Sequence, residues 1–176
     1  MTDIATLIEE SGTIKFGTFT LSDGSLTDYY IDKYVFETSP SLLEPIVKEI
    51  VDRIDNDAVD VVAGPALGAV PIITAVSMCT GLEAAFIRKG ETMHGTQARI
   101  EGSINKGNRI LLIEDITTTG GTILESAHMV EEVGGIVEKI IVVVDRNEGA
   151  EACIEAEGYD FEYLAQVGRD INVEPA

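Results

Sequence analysis

One run constrains the fold of this chain more than any other: Arg109-Ile110-Leu111-Leu112-Ile113-Glu114-Asp115-Ile116-Thr117-Thr118-Thr119-Gly120-Gly121-Thr122. An apolar segment of strand length ends in two adjacent carboxylates. A Thr/Gly-rich turn follows, and then a helical pattern begins. Consecutive apolar positions in a strand mean that both faces are covered, as in a parallel sheet flanked by helices. The same alternation surrounds the run. Residues 58–63 read as a short apolar strand ending in Gly64-Pro65, and 70–80 as a buried helix stopped by Gly81. Residues 84–87 read as a strand, and 121–133 as a helix with Ile123, Ala127 and Val130 on one face. A very apolar strand over 136–144, a helix over 148–157 and a last strand over 161–165 complete the series. The expectation is an α/β fold, a central mostly parallel sheet with helices on both faces and right-handed crossovers.

The first third differs. Residues 3–10 place Ile4, Leu7 and Ile8 on one helical face before Ser11-Gly12. Two β-prone runs, 16–21 and 26–32, flank Asp23-Gly24, which is a hairpin signal. Ser39-Pro40 opens a helix whose apolar positions run from Leu42 to Ile54, with Pro45 expected to kink it or mark its true start. With 176 residues the chain has room for one α/β domain.

Charge and apolar length exclude several classes. The 31 acidic residues outnumber the 12 basic ones, giving a net charge of −19. A field of that sign repels nucleic acid and anionic membranes, so neither is an expected partner. The longest uncharged apolar run, residues 70–82, falls short of the ~20 residues a spanning helix needs. No basic and apolar leader opens the chain, and only two cysteines and two histidines occur, without zinc spacing. A reducing, cytoplasmic setting is expected.

The carboxylate pair and turn carry the chemistry. In an open parallel sheet, ligands bind outside the carboxyl ends of the strands. Backbone N–H groups of the turn, the hydroxyls of Thr118, Thr119 and Thr122, and the helix N-terminus together form an anion cradle. The Gly-Lys-Ser/Thr ending of a Walker loop is missing, as is a GxGxxG fingerprint. Carboxylates beside a phosphate site suit sugar hydroxyls or Mg²⁺. Residues 88–108 read as a polar loop with four glycines, and 86–109 carry a net +3 in an otherwise acidic chain. A loop of that length inside a domain points to an active-site lid.

The run from Arg109 to Thr122 resembles the phosphoribosyl-pyrophosphate (PRPP) motif of the type I phosphoribosyltransferases. Further matches narrow the resemblance to the orotate phosphoribosyltransferases, over nearly the whole chain. They are Lys15-Phe16-Gly17-Thr18-Phe19, Asp28-Tyr29-Tyr30-Ile31-Asp32-Lys33, Ala63-Gly64-Pro65-Ala66-Leu67-Gly68 and Asp145-Arg146-Asn147-Glu148-Gly149. The resemblance implies a single phosphoribosyltransferase domain over 1–176, with a small N-terminal hood (1–36) and a flexible active-site loop (88–108). It implies that PRPP and orotate give orotidine 5′-monophosphate and pyrophosphate, with Mg²⁺ as cofactor. Ile116, Thr117, Thr118, Thr119, Gly120, Gly121 and Thr122 would hold the 5′-phosphate, and Glu114 and Asp115 the ribose hydroxyls, with Mg²⁺ bridged through PRPP. Lys15, Tyr29, Tyr30, Thr118 and Arg146 would bind orotate. Gly64, Pro65, Ala66, Leu67 and Gly68 would wrap pyrophosphate. Arg88, Lys89 and His94 would reach PRPP from a lid shared between the subunits of a homodimer, with Lys89, His94 and Asp115 taking catalytic roles. The family's second lid lysine is replaced by Thr92. The alternatives are a purine phosphoribosyltransferase, or a PRPP- or nucleotide-sensing regulator on the same fold.

The resemblance also reorders the charge. Lys15, Arg88, Lys89, Arg99 and Arg146 fall at or beside the implied site, while the acids concentrate elsewhere. Such a surplus of surface acid is the expected mark of a salt-rich cytoplasm, where repulsion is screened. The stability of the protein is therefore expected to rise between low and molar KCl, measured by urea midpoints. A midpoint that stays level or falls would contradict this.

Overall fold

In the computed structural model of the chain, residues 3–20, 24, 26–88 and 99–173 are described. The chain begins with α1 (Ile4–Glu10), the strands β1 (Ile14–Thr20) and β2 (Leu26–Ile31), and the helices α2 (Lys33–Thr38) and α3 (Pro40–Asp52). Next come β3 (Val61–Pro65), α4 (Ala69–Thr80), β4 (Glu83–Ile87), the short β5 (Ile100–Glu101) and β6 (Arg109–Thr117). The chain ends with α5 (Gly121–Glu132), β7 (Ile136–Asp145), α6 (Ala150–Ala156) and β8 (Phe161–Gln166).

Six strands form one sheet in the order β5-β4-β3-β6-β7-β8. All neighbours are parallel except β4 and β5, which pair antiparallel through Phe86↔Glu101 and Ile87↔Ile100. The expected parallel sheet is thus present with one antiparallel edge, and that edge lies inside the segment expected to be loop. A two-residue strand has no periodicity to read, which is why the sequence pattern conceals it.

Side chains alternate between two cores, as strand geometry requires. On β6, Leu111 and Ile113 face one core while Ile110 and Leu112 face the other. On β7, Ile141 and Val143 oppose Ile140 and Val142 in the same way. Helices α1, α3 and α4 cover the first face, and α5 and α6 the second. The reason is topological. From β3 the chain crosses through α4 to β4 on one side, and from β6 through α5 to β7 on the other. Crossovers of one hand running in opposite directions place their helices on opposite faces. The switch of direction lies between β3 and β6, and the crevice at their carboxyl ends is where this architecture binds ligands. Each fully closed Ile, Leu or Val in these cores contributes roughly 1.5–3 kcal/mol.

Helix α3 starts at Pro40 and continues through Pro45. Pro45 lies early enough that the carbonyl it deprives of a partner is that of Ser41, in the first turn. The hairpin of β1 and β2 forms a separate two-stranded sheet with Lys15↔Tyr30 and Phe16↔Tyr29 in register, and Gly24 between the strands has φ +87°. Helix α1 docks through Ile4, Ala5 and Ile8. Among the described residues, no helix is long and apolar enough to cross a membrane.

Candidate active site

The crevice is built from the ends of β3, β6 and β7. At β6, Glu114 and Asp115 are buried, and Thr117 is the last strand residue. Beyond it Gly120 adopts φ +84° and caps the twelve-residue α5 without any side-chain cap hydrogen bond, so the helix N-terminus faces the turn. Gly120 also packs tightly on α6, since a Cβ there would lie 3.2 Å from Ile154. Glu114, Ile116, Thr117, Thr118, Thr119, Gly120, Gly121, Thr122 and Glu125 line a cavity of about 340 Å³. Apart from Glu114 and Glu125, its polar wall is hydroxyl and backbone, which suits a phosphate. Glu125 is turned to a cation, with its Oε1 2.5 Å from Arg99 Nη2.

At the end of β3, Gly64 passes against β6 so closely that a Cβ would lie 2.0 Å from the Ile113 carbonyl oxygen. Pro65 and a cis Ala66–Leu67 peptide follow, and exposed Leu67 leads to Gly68, the cap of α4. Gly68 lies directly over the end of β6: a Cβ on it would meet Asp115 Oδ2 at 2.1 Å and Lys33 Nζ at 2.4 Å. The segment 64–68 and Asp115 therefore share one floor.

Arg146 links the hood side to the sheet. Arg146 lies with its guanidinium 4.8 Å from the centre of the Tyr29 ring, and its Nε is 3.0 Å from Glu148 Oε1. Its backbone N–H donates to the Thr117 carbonyl. Asp145 fixes the turn by accepting from the Gln166 side chain at 2.8 Å and from the Asn147 N–H at 3.0 Å. Tyr29 and Tyr30 are consecutive in a strand, so their rings leave on opposite faces. Tyr29 packs toward the core and Arg146, whereas Tyr30 is exposed and tilts on Phe19 with centroids 5.6 Å apart. The structure thus joins Tyr29, Arg146 and the β6 loop, and it separates Tyr30 from them. Lys15 donates to Asp32 at 2.5 Å.

Among the described residues, Arg88 and Arg109 are also paired. Arg88 meets Glu101 at 3.2 Å, and Arg109 binds Asp60 at the opposite, amino-terminal edge of β6. Glu125 and Asp60, both outside 86–109, therefore offset two of its three excess positive charges in space. Lys89, Thr92 and His94 lie outside the described residues.

Two residues of α2 join the site without a sequence expectation behind them. Lys33 Nζ is 2.5 Å from Asp115 Oδ2, and Glu37, one turn on, is buried with its Oε1 lacking a hydrogen-bond partner. Burial, and then the facing Asp115 carboxylate, push Glu37 up from 4.5 to about 8. The native state then keeps a proton that the unfolded chain releases above its ordinary value. Stability is fully present below about 4.5 and is lost as pH rises through about 8. In Glu37→Gln the amide replaces the protonated acid, so urea midpoints are expected to fall less between pH 5 and 9 than in the wild type. Parallel profiles would contradict the assignment. The available signal was the Lys33/Glu37 spacing of four after Asp32, in a segment too short to show a helical period.

The acceptors at this edge are hard carboxylate oxygens, which fit Mg²⁺. Among the described residues no cluster of three or more His, Cys, Asp or Glu side chains could hold a metal by itself. An ion here would take most of its ligands from a substrate and water.

Known proteins share this arrangement. The phosphoribosyl transferase domain model matches residues 39–162. The chain is similar to the orotate phosphoribosyltransferase of Thermococcus gammatolerans, 48% identical over 155 residues that cover 86% of this chain and 82% of that one. The crystal structure of orotate phosphoribosyltransferase from Aeropyrum pernix has a TM-score of 0.83 at 26% identity, covering 93% of each chain. The Mycobacterium tuberculosis orotate phosphoribosyltransferase solved in complex with PRPP has a TM-score of 0.72 at 33% identity, again over 93% of each chain.

Proposed function

The chain belongs to the phosphoribosyltransferases and, among them, to the orotate phosphoribosyltransferases, and on that premise we propose that it transfers the phosphoribosyl group of PRPP to orotate. The products are orotidine 5′-monophosphate and pyrophosphate, and the role is pyrimidine nucleotide synthesis. The observation that carries this reading is the convergence at one sheet edge of a Thr/Gly-lined cavity, two buried carboxylates and the Arg146–Tyr29 pair.

The 5′-phosphate enters the cradle of residues 116–122, where the α5 N-terminus and the Thr118, Thr119 and Thr122 hydroxyls offer donors without a competing side-chain cap. Glu114 and Asp115 then accept from the ribose hydroxyls and fix the ring over the floor formed by Gly64–Gly68. Orotate is a flat anion. The Arg146 guanidinium suits its carboxylate and the Tyr29 ring gives an aromatic wall, while Lys15, in register with Tyr30, approaches from the other face of the hairpin. As the bond to pyrophosphate lengthens, positive charge grows on the sugar beside Asp115 and negative charge grows on the leaving group. Catalysis is then mainly positioning and electrostatic stabilisation. Glu114 and Asp115, together with PRPP itself, would hold Mg²⁺, which would supply charge neutralisation of the pyrophosphate. Arg88, Lys89 and His94 cover PRPP from a lid shared across a homodimer, excluding water from the reacting sugar. The enzyme works in the cytoplasm.

The test is to mix the protein with PRPP, Mg²⁺ and, separately, orotate, adenine, guanine or hypoxanthine. Orotate is expected to be consumed at a rate at least a hundredfold above any purine. Preferential use of a purine would overturn the orotate reading. PRPP binding without turnover of any base would instead favour a sensing regulator.

A further inference from the structure

We propose that Lys33 is a pyrophosphate-binding residue of this enzyme, held in waiting by Asp115. This rests on the PRPP reading above and adds a residue to it. Lys33 opens α2, immediately after the hairpin, and its ammonium reaches across to β6 to lie 2.5 Å from Asp115 Oδ2. It also lies over the backbone of Gly68, because a Cβ on that glycine would come within 2.4 Å of Nζ. Gly68 has no side chain to fill this space, and Lys33 fills it from another element.

The position is chemically specific. Asp115 is assigned to the ribose hydroxyls, and segment 64–68 to pyrophosphate. In PRPP the pyrophosphate leaves from the carbon next to the one bearing the 2′-hydroxyl. A cation that touches both the hydroxyl-binding carboxylate and the last residue of the pyrophosphate segment is therefore beside the bond that breaks. Lys15, Arg88, Arg99 and Arg146 pair with Asp32, Glu101, Glu125 and Glu148, none of which is assigned to substrate. Lys33 differs, since its partner Asp115 is the group that the ribose hydroxyls engage. Once those hydroxyls occupy Asp115, the ammonium can turn to the pyrophosphate oxygens with little movement. Its side chain keeps 29% exposure, enough to meet a ligand in the crevice. Glu37, buried one turn along α2, lies within electrostatic reach of both Lys33 and Asp115.

The test uses the full chain and pyrophosphate itself as probe. Lys33→Met is expected to weaken Mg²⁺-pyrophosphate binding at least thirtyfold by calorimetry and to lower kcat/KM for PRPP by a similar factor, with KM for orotate within threefold of wild type. Lys33→Arg is expected to recover at least a third of the lost affinity on a logarithmic scale. A Lys33→Met protein that melts lower but binds pyrophosphate within threefold of wild type would overturn the proposal and leave Lys33 a structural partner of Asp115. If Lys33→Met does not fold, acylation of wild-type lysines with and without pyrophosphate decides. Protection of Lys33, with Lys48 and Lys139 unchanged, supports the proposal, and unaltered Lys33 labelling overturns it. A wild-type protein that binds neither PRPP nor pyrophosphate would instead overturn the functional reading from which this one starts.

Discussion

Replacing Asp115 with asparagine is expected to lower kcat/KM for PRPP about 10²–10³-fold, the size of effect that follows loss of one preorganised charged group at a transition state. The substitution keeps the shape of the side chain and removes its charge. Asparagine offers one acceptor oxygen where the carboxylate offers two, so one ribose hydroxyl loses its partner. The larger loss is electrostatic. Asp115 is buried, and positive charge developing on the sugar would no longer face a fixed negative group in a water-poor crevice. Lys33 also loses its ion pair, but it is partly exposed and can turn to solvent, so the melting temperature is expected to fall by only a few degrees. A variant that folds and retains more than a tenth of wild-type kcat/KM would contradict the role given to Asp115.

The second large effect concerns the fold beneath the site. Gly64→Ala is expected to leave most of the protein unfolded or aggregated at 37 °C. A Cβ at this position lies 2.0 Å from the Ile113 carbonyl oxygen and 3.0 Å from Ile73 Cδ1. The first of these neighbours is backbone, and it cannot yield easily. Ile113 pairs with Ile141 in the middle of the sheet, and β3 is held between β4 and β6. Separating β3 from β6 would disturb both cores at once, at an expected cost of about 4 kcal/mol or more, a large share of the stability of a domain. Gly121→Ala is the contrasting variant. Its nearest atom would be Thr119 Oγ1 at 3.9 Å, so the fold is expected to tolerate it. Circular dichroism melts of the two proteins measure the difference. Equal melting temperatures would show that β3 and β6 have more freedom than their contact implies.

The parts of the molecule legible in the sequence are those with a long, regular physical signature. β6 and β7 are runs of apolar residues covered on both faces, and they read directly as parallel strands. The Thr/Gly turn between Asp115 and α5 reads as an anion cradle because its donors are largely backbone, and backbone donors follow from the turn itself. What the sequence hides is of another kind. α2 has six residues and buries only Phe36 and Glu37, too few positions to establish a period. The Lys33–Asp115 pair joins residues 82 positions apart, and a contact that distant leaves no local trace. Tyr29 and Tyr30 look equivalent as a motif, but strand alternation sends only Tyr29 to Arg146. The positive excess along residues 86–109 is real as a sum, yet Glu125 and Asp60, from outside the segment, cancel two of its three charges in space.

The central claim is that this crevice joins PRPP to orotate, and a single-turnover experiment tests it most directly. Protein in excess is loaded with PRPP and Mg²⁺, mixed with orotate, and quenched over time. One orotidine 5′-monophosphate and one pyrophosphate are expected for each orotate lost, with no product when PRPP is omitted. Pyrophosphate released without nucleotide, or orotate left unchanged beside bound PRPP, would contradict it.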